Sequence, residues 1–329
     1  MKRLLCILMM SCLLLFGCGT AEESQSQTTQ PTGSVQKEDP GEDGVLNIFF
    51  VSNSTCYYFT DELYGMLKAA GYEDITLALA YYSGCSIQRH HQWLLEDAAN
   101  YQLRVLDKNG LNVSEGYSLK AALECRNWDI ISFDNNARSF SSGDVQTSLA
   151  QSEPYFGDLY SRIKAMFPMS RYFWHEVWAN EIGYSLAFKM ETVEQRTQVY
   201  NAKRGVMQIM AETYGVEMVP TGDAWEKVRD MEMFTTPLPA FTDVERFSLC
   251  SRLVNNQFKD DFTHDGDIGG GQYLNACVWF EVITGNSCVG NTFRPRYTFG
   301  SFDCSLTEEK IQVLQNAAHE AVTELKASE

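Results

Sequence analysis

The chain has 329 residues, is 44% hydrophobic and carries a formal net charge of −17. A body this acidic argues against nucleic acid or an anionic membrane surface as partner, because its field repels phosphate. Its apolar content suffices for a large folded domain.

Met1-Lys2-Arg3 is followed by an apolar run from Leu4 to Phe16 and then Gly17-Cys18. A charged start with a short apolar core reads as a secretory signal, too short to span a bilayer. Leu15-Phe16-Gly17-Cys18 is similar to a bacterial lipobox, which makes residues 1–18 a lipoprotein signal ending at a lipidated Cys18. An ordinary signal cut a little later is the alternative. Acyl chains on Cys18 would hold the protein outside the cytoplasm on the cell membrane. Residues 19–43 are rich in Gln, Ser, Thr, Glu and Pro without apolar periodicity, so they read as a disordered tether. Residues 44–329 form the folded domain. Loss of Lys2 and Arg3 with the signal takes the net charge to −19.

Leu46 to Val51 is short, continuous and apolar, the mark of a buried strand, and Phe59 to Ala70 has helical periodicity ending at Gly71. Ser52-Asn53-Ser54-Thr55 lies between them, at the carboxyl end of the strand, where open α/β sheets collect ligands and chemistry. The same four residues would also suit a simple helix cap. Further strands are predicted over Asp74–Tyr82, Trp128–Phe133, Arg171–Val177 and Val216–Pro220. Helices are predicted over 87–98, 119–125, 154–167, 191–214, 272–284 and 306–325. Asn109-Gly110 predicts a hairpin spanning Tyr101–Tyr117. Pro237 and Pro239 break the pattern between Met231 and Lys259, which reads as a loop or lid. Strands alternating with helices imply a three-layer α/β/α sandwich on a parallel, five-stranded, flavodoxin-like sheet.

Ten cysteines become seven beyond Cys18, with neither CxxC pairs nor zinc spacing. Most read as small buried apolar residues, although export would permit a bridge such as Cys288 with Cys304.

Serine-dependent hydrolysis needs a base within reach and a group to orient it. Of the five histidines, His90 and His91 read as helix-start or surface residues and His319 as a surface residue of the last helix. His175, inside the fourth strand, lines a pocket or belongs to the core. His264 stands in the polar loop Asp261-Phe262-Thr263-His264, before Gly269-Gly270-Gly271.

Asp261-x-x-His264 near the carboxyl end, Asn53-Ser54 after the first strand, Gly84 after the second and Asn after the third resemble the SGNH/GDSL hydrolases. The chain is most similar to a bacterial branch of unknown function with Gly-Asn-Ser in place of Gly-Asp-Ser. Versions of Ser83-Gly84-Cys85-Ser86, Gly271-Gln272-Tyr273-Leu274, Trp279-Phe280-Glu281, Ile283-Thr284-Gly285 and Val289-Gly290-Asn291-Thr292 carry that likeness from Leu46 to Ala321. The resemblance implies Ser54 as nucleophile, His264 as general base and Asp261 as its orienting group. It implies an oxyanion hole from the Ser54 and Gly84 N–H groups and the side chain of Asn135 or Asn136. Asn53, Tyr82, His175 and Trp178 are candidates for the substrate pocket. The implied activity is an exported, lipid-anchored serine esterase that deacylates a carbohydrate or small ester and needs no cofactor.

Three departures from the motif carry expectations. Ser52 replaces glycine and should strain the turn or crowd the crevice, Ser83 replaces a second glycine, and Asp134 should repel an oxyanion. The rival reading is a glycan-binding lipoprotein on the same fold, using Trp174, Trp178, Tyr81 and Tyr82. A metal-dependent hydrolase using Asp260, Asp261, Asp265, Asp267 and His264 ranks last, because the spacing lacks a calcium-loop pattern.

Overall fold

The computed structural model describes residues 44–134, 144–183, 190–235, 245–247, 249, 251–254, 257–261, 270–299 and 302–328. The residues read as signal and tether, and Cys18 with them, lie outside that set.

The central strand is β1 (Val45–Ser52), whose apolar run VLNIFFVS is buried on both faces. It pairs in parallel with β2 (Asp74–Tyr81) on one side and with β5 (Ile130–Asp134) on the other. Beyond β5 lie β6 (Arg171–His175) and β7 (Glu217–Val219), also parallel. These five strands are the ones the sequence predicts, in the flavodoxin-like order. The sheet is nevertheless seven-stranded and mixed. The hairpin of β3 (Tyr101–Asp107) and β4 (Gly110–Tyr117) continues it antiparallel from the edge of β2, giving the order β4-β3-β2-β1-β5-β6-β7. β4 is largely exposed along its length. Its composition therefore gave no alternation by which membership of the sheet could be read.

Period-two alternation along β1 divides the interior into two cores. Ile48 and Phe50 face one layer, where Phe50 meets the edges of Phe59 and Trp279 at ring distances of 5.7 and 5.2 Å. That layer holds α2 (Thr60–Ala69), α8 (Thr221–Val228), a buried helix Gly271–Thr284 and the carboxyl-terminal helix Glu308–Ser328. Phe49 and Val51 face the other layer, made of α3 (Ile87–Glu96), α4 (Leu119–Glu124), α5 (Val145–Ala150), α6 (Glu153–Met166) and α7 (Val193–Tyr214). Each fully buried Phe contributes roughly 1.5–3 kcal/mol of transfer free energy, so β1 alone anchors both layers.

Several motifs behind the family resemblance are structural. All of Gly271–Thr284 is buried except Val282 and Thr284. Gly285, at φ 69°, ends that helix with its N–H on the Glu281 carbonyl at 2.9 Å. The buried Glu281 carboxylate accepts from Cys288 N at 2.6 Å and Ser287 Oγ at 3.0 Å, fixing the following turn. Asn291 Nδ2 donates to the Met66 carbonyl at 3.0 Å and so pins the next loop to α2. Cys56, Cys85, Cys125, Cys277 and Cys288 are free thiols, and the Cys288–Cys304 bridge is not formed.

The segment read as a loop or lid contains regular structure. After α9 (Glu232–Thr235) come β8 (Glu245–Phe247), β9 (Ser251–Val254) and β10 (Gln257–Asp261), a small antiparallel sheet of its own. Runs of three to five residues are too short to stand out by periodicity beside the prolines.

Candidate active site

The chain leaves the sheet at Ser52, fully buried, and turns at Asn53 into the four-residue helix α1 (Ser54–Tyr57). Ser54, half-buried, is the first residue of α1, one turn beyond the carboxyl edge of the central strand. Asn53 caps the helix: its Oδ1 accepts from Thr55 N at 3.1 Å and from Thr55 Oγ1 at 2.6 Å. Its Nδ2 donates to Asp134 Oδ1 at 2.9 Å and to the Cys85 carbonyl at 3.3 Å. Asn53 is therefore a turn-holding residue rather than an open pocket residue; it is 3% exposed.

Ser52 does not strain the turn and, fully buried, does not project into the crevice. Among the described residues Asp97 is the only non-glycine with positive φ. The Ser52 hydroxyl points inward and donates to Asp134 Oδ2. Asp134, the last residue of β5, also accepts from Cys56 Sγ at 3.5 Å. Burial pushes its carboxyl up to about 6, against hydrogen bonds from Ser52 and Cys56 and the Lys203 charge, which favour the anion. With its described hydrogen bonds directed back at the Ser52–Cys56 turn, Asp134 is a scaffold of that turn.

Gly84 follows β2 in a tight turn closed by Cys85 N on the Tyr82 carbonyl at 3.1 Å. At φ 60° it occupies the left-handed region that favours glycine. The Asn53–Cys85 hydrogen bond ties this turn directly to the one bearing Ser54. Asn135, Asn136 and His264 lie outside the described residues. Asp261 is the last residue of β10, described for its backbone only. The structure therefore joins Ser54, Asn53 and Gly84 and adds Asp134. Among the described residues no group of three or more His, Cys, Asp or Glu could hold a metal ion. Of the acidic cluster read from sequence, Asp260 and Asp261 lie in β10 and the remainder fall outside.

Two pocket candidates belong to the core. His175 is fully buried, stacked on Phe59 at 5.5 Å and on Trp279 at 5.9 Å, and its Nδ1 accepts from Trp279 Nε1 at 2.8 Å. An indole N–H can only donate, so a neutral His175 carries its proton on Nε2. Burial and the nearby Lys203 charge push its pKa down to about 3. Trp178, 2% exposed, lies flat on Trp225 at 4.5 Å. Trp174 is equally buried in the opposite layer. Strands buried on both faces do not reveal from sequence that these rings face inward. Tyr82 remains accessible, 39% exposed, edge-on to Trp93 at 4.7 Å with the Arg89 guanidinium 5.5 Å from its ring centre.

His90 is likewise a core residue rather than a helix-start or surface one. It is fully buried, its Nδ1 is 2.8 Å from Tyr101 Oη, and burial pushes its pKa down to about 3. The sequence held a signal for this: Ile87, His90 and Leu94 share one face of α3. His91 and His319 pair with Asp158 and Glu281 at 2.9 and 3.1 Å. A depression of about 290 Å³, lined in part by Arg171, Glu217, Gly285 and Lys326, lies at the amino ends of β6 and β7. That is the opposite edge of the sheet from Ser54.

The buried neutral His175 sets one acid-side expectation. A folded-state pKa near 3 against an ordinary 6.5 gives stability that is present above 6.5 and lost as pH falls towards 3. His175→Phe keeps the ring stack and removes the proton uptake. Between pH 7 and pH 5 its unfolding free energy should fall by about 2 kcal/mol less than that of the wild type. Urea titrations at the two pH values measure this difference, and equal falls would contradict the assignment.

The family model described as Domain of unknown function (DUF4886) matches residues 48–321. A crystal structure of a DUF4886 family protein from Bacteroides uniformis shares the fold at TM-score 0.62 and 21% identity, covering 85% of this chain and 95% of that one. A catalytic mutant of an acetylxylan esterase from Geobacillus stearothermophilus aligns at TM-score 0.42 and 14% identity, over 75% of this chain and 96% of the other. A GDSL-like lipase from Bacteroides thetaiotaomicron aligns at TM-score 0.39 and 8% identity, over 72% and 87%. No curated protein sequence matches the chain.

Proposed function

Because the chain belongs to the DUF4886 family of unknown function, we propose its activity from the site: an exported, lipid-anchored serine esterase that deacylates a carbohydrate or a small ester. The observation that carries this reading is Ser54 at the first position of α1, past the carboxyl end of the central strand, on a turn tied to Gly84. Ser54 Oγ attacks the ester carbonyl while His264, oriented by Asp261, takes its proton. The tetrahedral oxyanion is met by the Ser54 and Gly84 N–H groups and by Asn135 or Asn136. Collapse breaks the ester C–O bond, and His264 returns the proton to the departing alcohol. Water, deprotonated by the same imidazole, then hydrolyses the acyl-Ser54 ester and releases the acid. No cofactor enters this sequence of steps.

The test is turnover by the mature protein of short-chain aryl esters and of acetylated oligosaccharides. Release of alcohol and acid that depends on Ser54 supports the reading. The exposed Tyr82 beside Trp93 and Arg89 favours a second one, glycan binding without turnover. Retention of unmodified oligosaccharide with no hydrolysis would select it.

Lipidation of Cys18 is tested separately. Cys18→Ala should move the protein from the membrane fraction to the soluble extracytoplasmic fraction and abolish incorporation of labelled fatty acid. Unchanged fractionation and labelling would remove the anchor from the account.

A further inference from the structure

Asp134 lies outside the Ser54–His264–Asp261 trio, yet its described contacts converge on the nucleophile's turn. Ser52 Oγ donates to its Oδ2, Asn53 Nδ2 to its Oδ1 at 2.9 Å and Cys56 Sγ to its Oδ2 at 3.5 Å. These donors bracket Ser54 from two residues before it to two residues after. All four side chains are nine-tenths or more buried. We propose that the Asp134 carboxylate is a positioning residue for Ser54, and that catalysis requires its charged form because three donors converge on it. The inference rests on the reading of Ser54 as nucleophile.

The chemistry of the contacts supplies the reason. A carboxylate has only acceptor sites and can take all three donors at once. A protonated acid, or an amide in its place, turns one oxygen position into a donor. At Oδ1 it opposes Asn53 Nδ2, which cannot accept, and at Oδ2 it makes the Ser52 hydroxyl reverse to accept. In either case the charge-assisted bonds that hold the turn fall to roughly half their strength. Asn53 cannot turn over to relieve this, because its Oδ1 already holds Thr55 N and Oγ1. Its second Nδ2 proton is held by the Cys85 carbonyl, so a shift at Asn53 also reaches the Gly84 turn. Displacing a catalytic group by about 1 Å commonly costs on the order of 100-fold in rate.

The ionisable groups around Asp134 identify its own titration. Cys56 of α1 and Cys85 of the β2–α3 turn are buried thiols pushed up by burial, and they stay neutral. His175, its register partner on β6, is pushed down to about 3 and is also neutral through the working range. Lys203 of α7, pushed down to about 7 by burial, supplies positive charge below neutrality. Asp134 therefore gains its proton near the pH at which an ordinary imidazole base gains one. Two protonations, at the base and at Asp134, then oppose catalysis on the acid side.

The experiment is the second-order rate constant for fluorophosphonate labelling between pH 4.5 and 8, on the full mature chain, for wild type, Asp134→Asn and Ser52→Ala. The expected wild-type acid limb has a logarithmic slope approaching two below about pH 6. Asp134→Asn should label about 100-fold more slowly at pH 8 with a limb of slope one. Ser52→Ala, which removes a single donor and keeps the carboxylate, should be slowed less and keep the steeper limb. A folded Asp134→Asn that labels at the wild-type rate, or more slowly with the slope of two retained, overturns the proposal. Should Asp134→Asn fail to fold, a folded Ser52→Ala with unchanged rate overturns it. A wild type that does not label at Ser54 removes the nucleophile reading and this inference with it; labelling unaffected by either variant removes the inference alone.

Discussion

Ser54→Ala is expected to abolish ester hydrolysis while the protein unfolds at its wild-type midpoint. Loss of a serine nucleophile from a working trio costs on the order of 10⁶-fold in kcat, because no neighbouring group can form the acyl intermediate. The fold should not notice, since Ser54 begins a four-residue helix and the cores on either side of β1 are built from other residues. Neither Ser52 nor Thr55 can substitute. Ser52 is buried with its hydroxyl on Asp134, and Thr55 Oγ1 is committed to Asn53. Initial rates on an aryl ester, with circular dichroism melts of both proteins, measure the two halves of this expectation. Wild-type turnover in a folded Ser54→Ala would place the chemistry elsewhere.

Gly271→Ala should have the largest effect on stability. A Cβ at Gly271 would lie 2.4 Å from Trp225 Cζ2 and 2.6 Å from the Leu249 carbonyl oxygen. Trp225 cannot slide aside, for it is stacked on Trp178 at 4.5 Å and its Nε1 donates to Asn275 Oδ1 at 2.7 Å. The Leu249 oxygen is backbone. Relief therefore requires moving the start of the buried helix Gly271–Thr284. Overpacking typically costs 1–3 kcal/mol, and a clash with main chain should reach about 3 kcal/mol or more, a large share of a domain's stability. A denaturant midpoint lowered accordingly, or an insoluble product, is the expected result. An unchanged midpoint would show that the helix start yields readily.

The parallel strands were legible because a strand buried on both faces reads as a near-continuous apolar run, and Leu46–Val51 and Ile130–Phe133 are such runs, broken only by Asn47 and Ser132. Asn109-Gly110 announced its hairpin through local turn chemistry, but joining β2 is a long-range pairing that exposed β4 residues do not encode. The serine turn was legible for a comparable reason, since small polar residues between a buried strand and a helix leave few other structures. The direction of Asp134 was not. A lone aspartate ending a strand reads as a loop residue until Ser52, Asn53 and Cys56 are known to surround it. His175 and Trp178 misled as pocket residues because aromatic and imidazole rings serve cores and clefts alike; only Phe59, Trp225 and Trp279 packed against them decide the matter.

The most direct measurement is peptide-mapped mass spectrometry of the mature protein after reaction with a fluorophosphonate, wild type beside Ser54→Ala. The account predicts one adduct on the wild type, located at Ser54, and none on the variant. A folded wild type without an adduct, or an adduct that persists in Ser54→Ala, would contradict it.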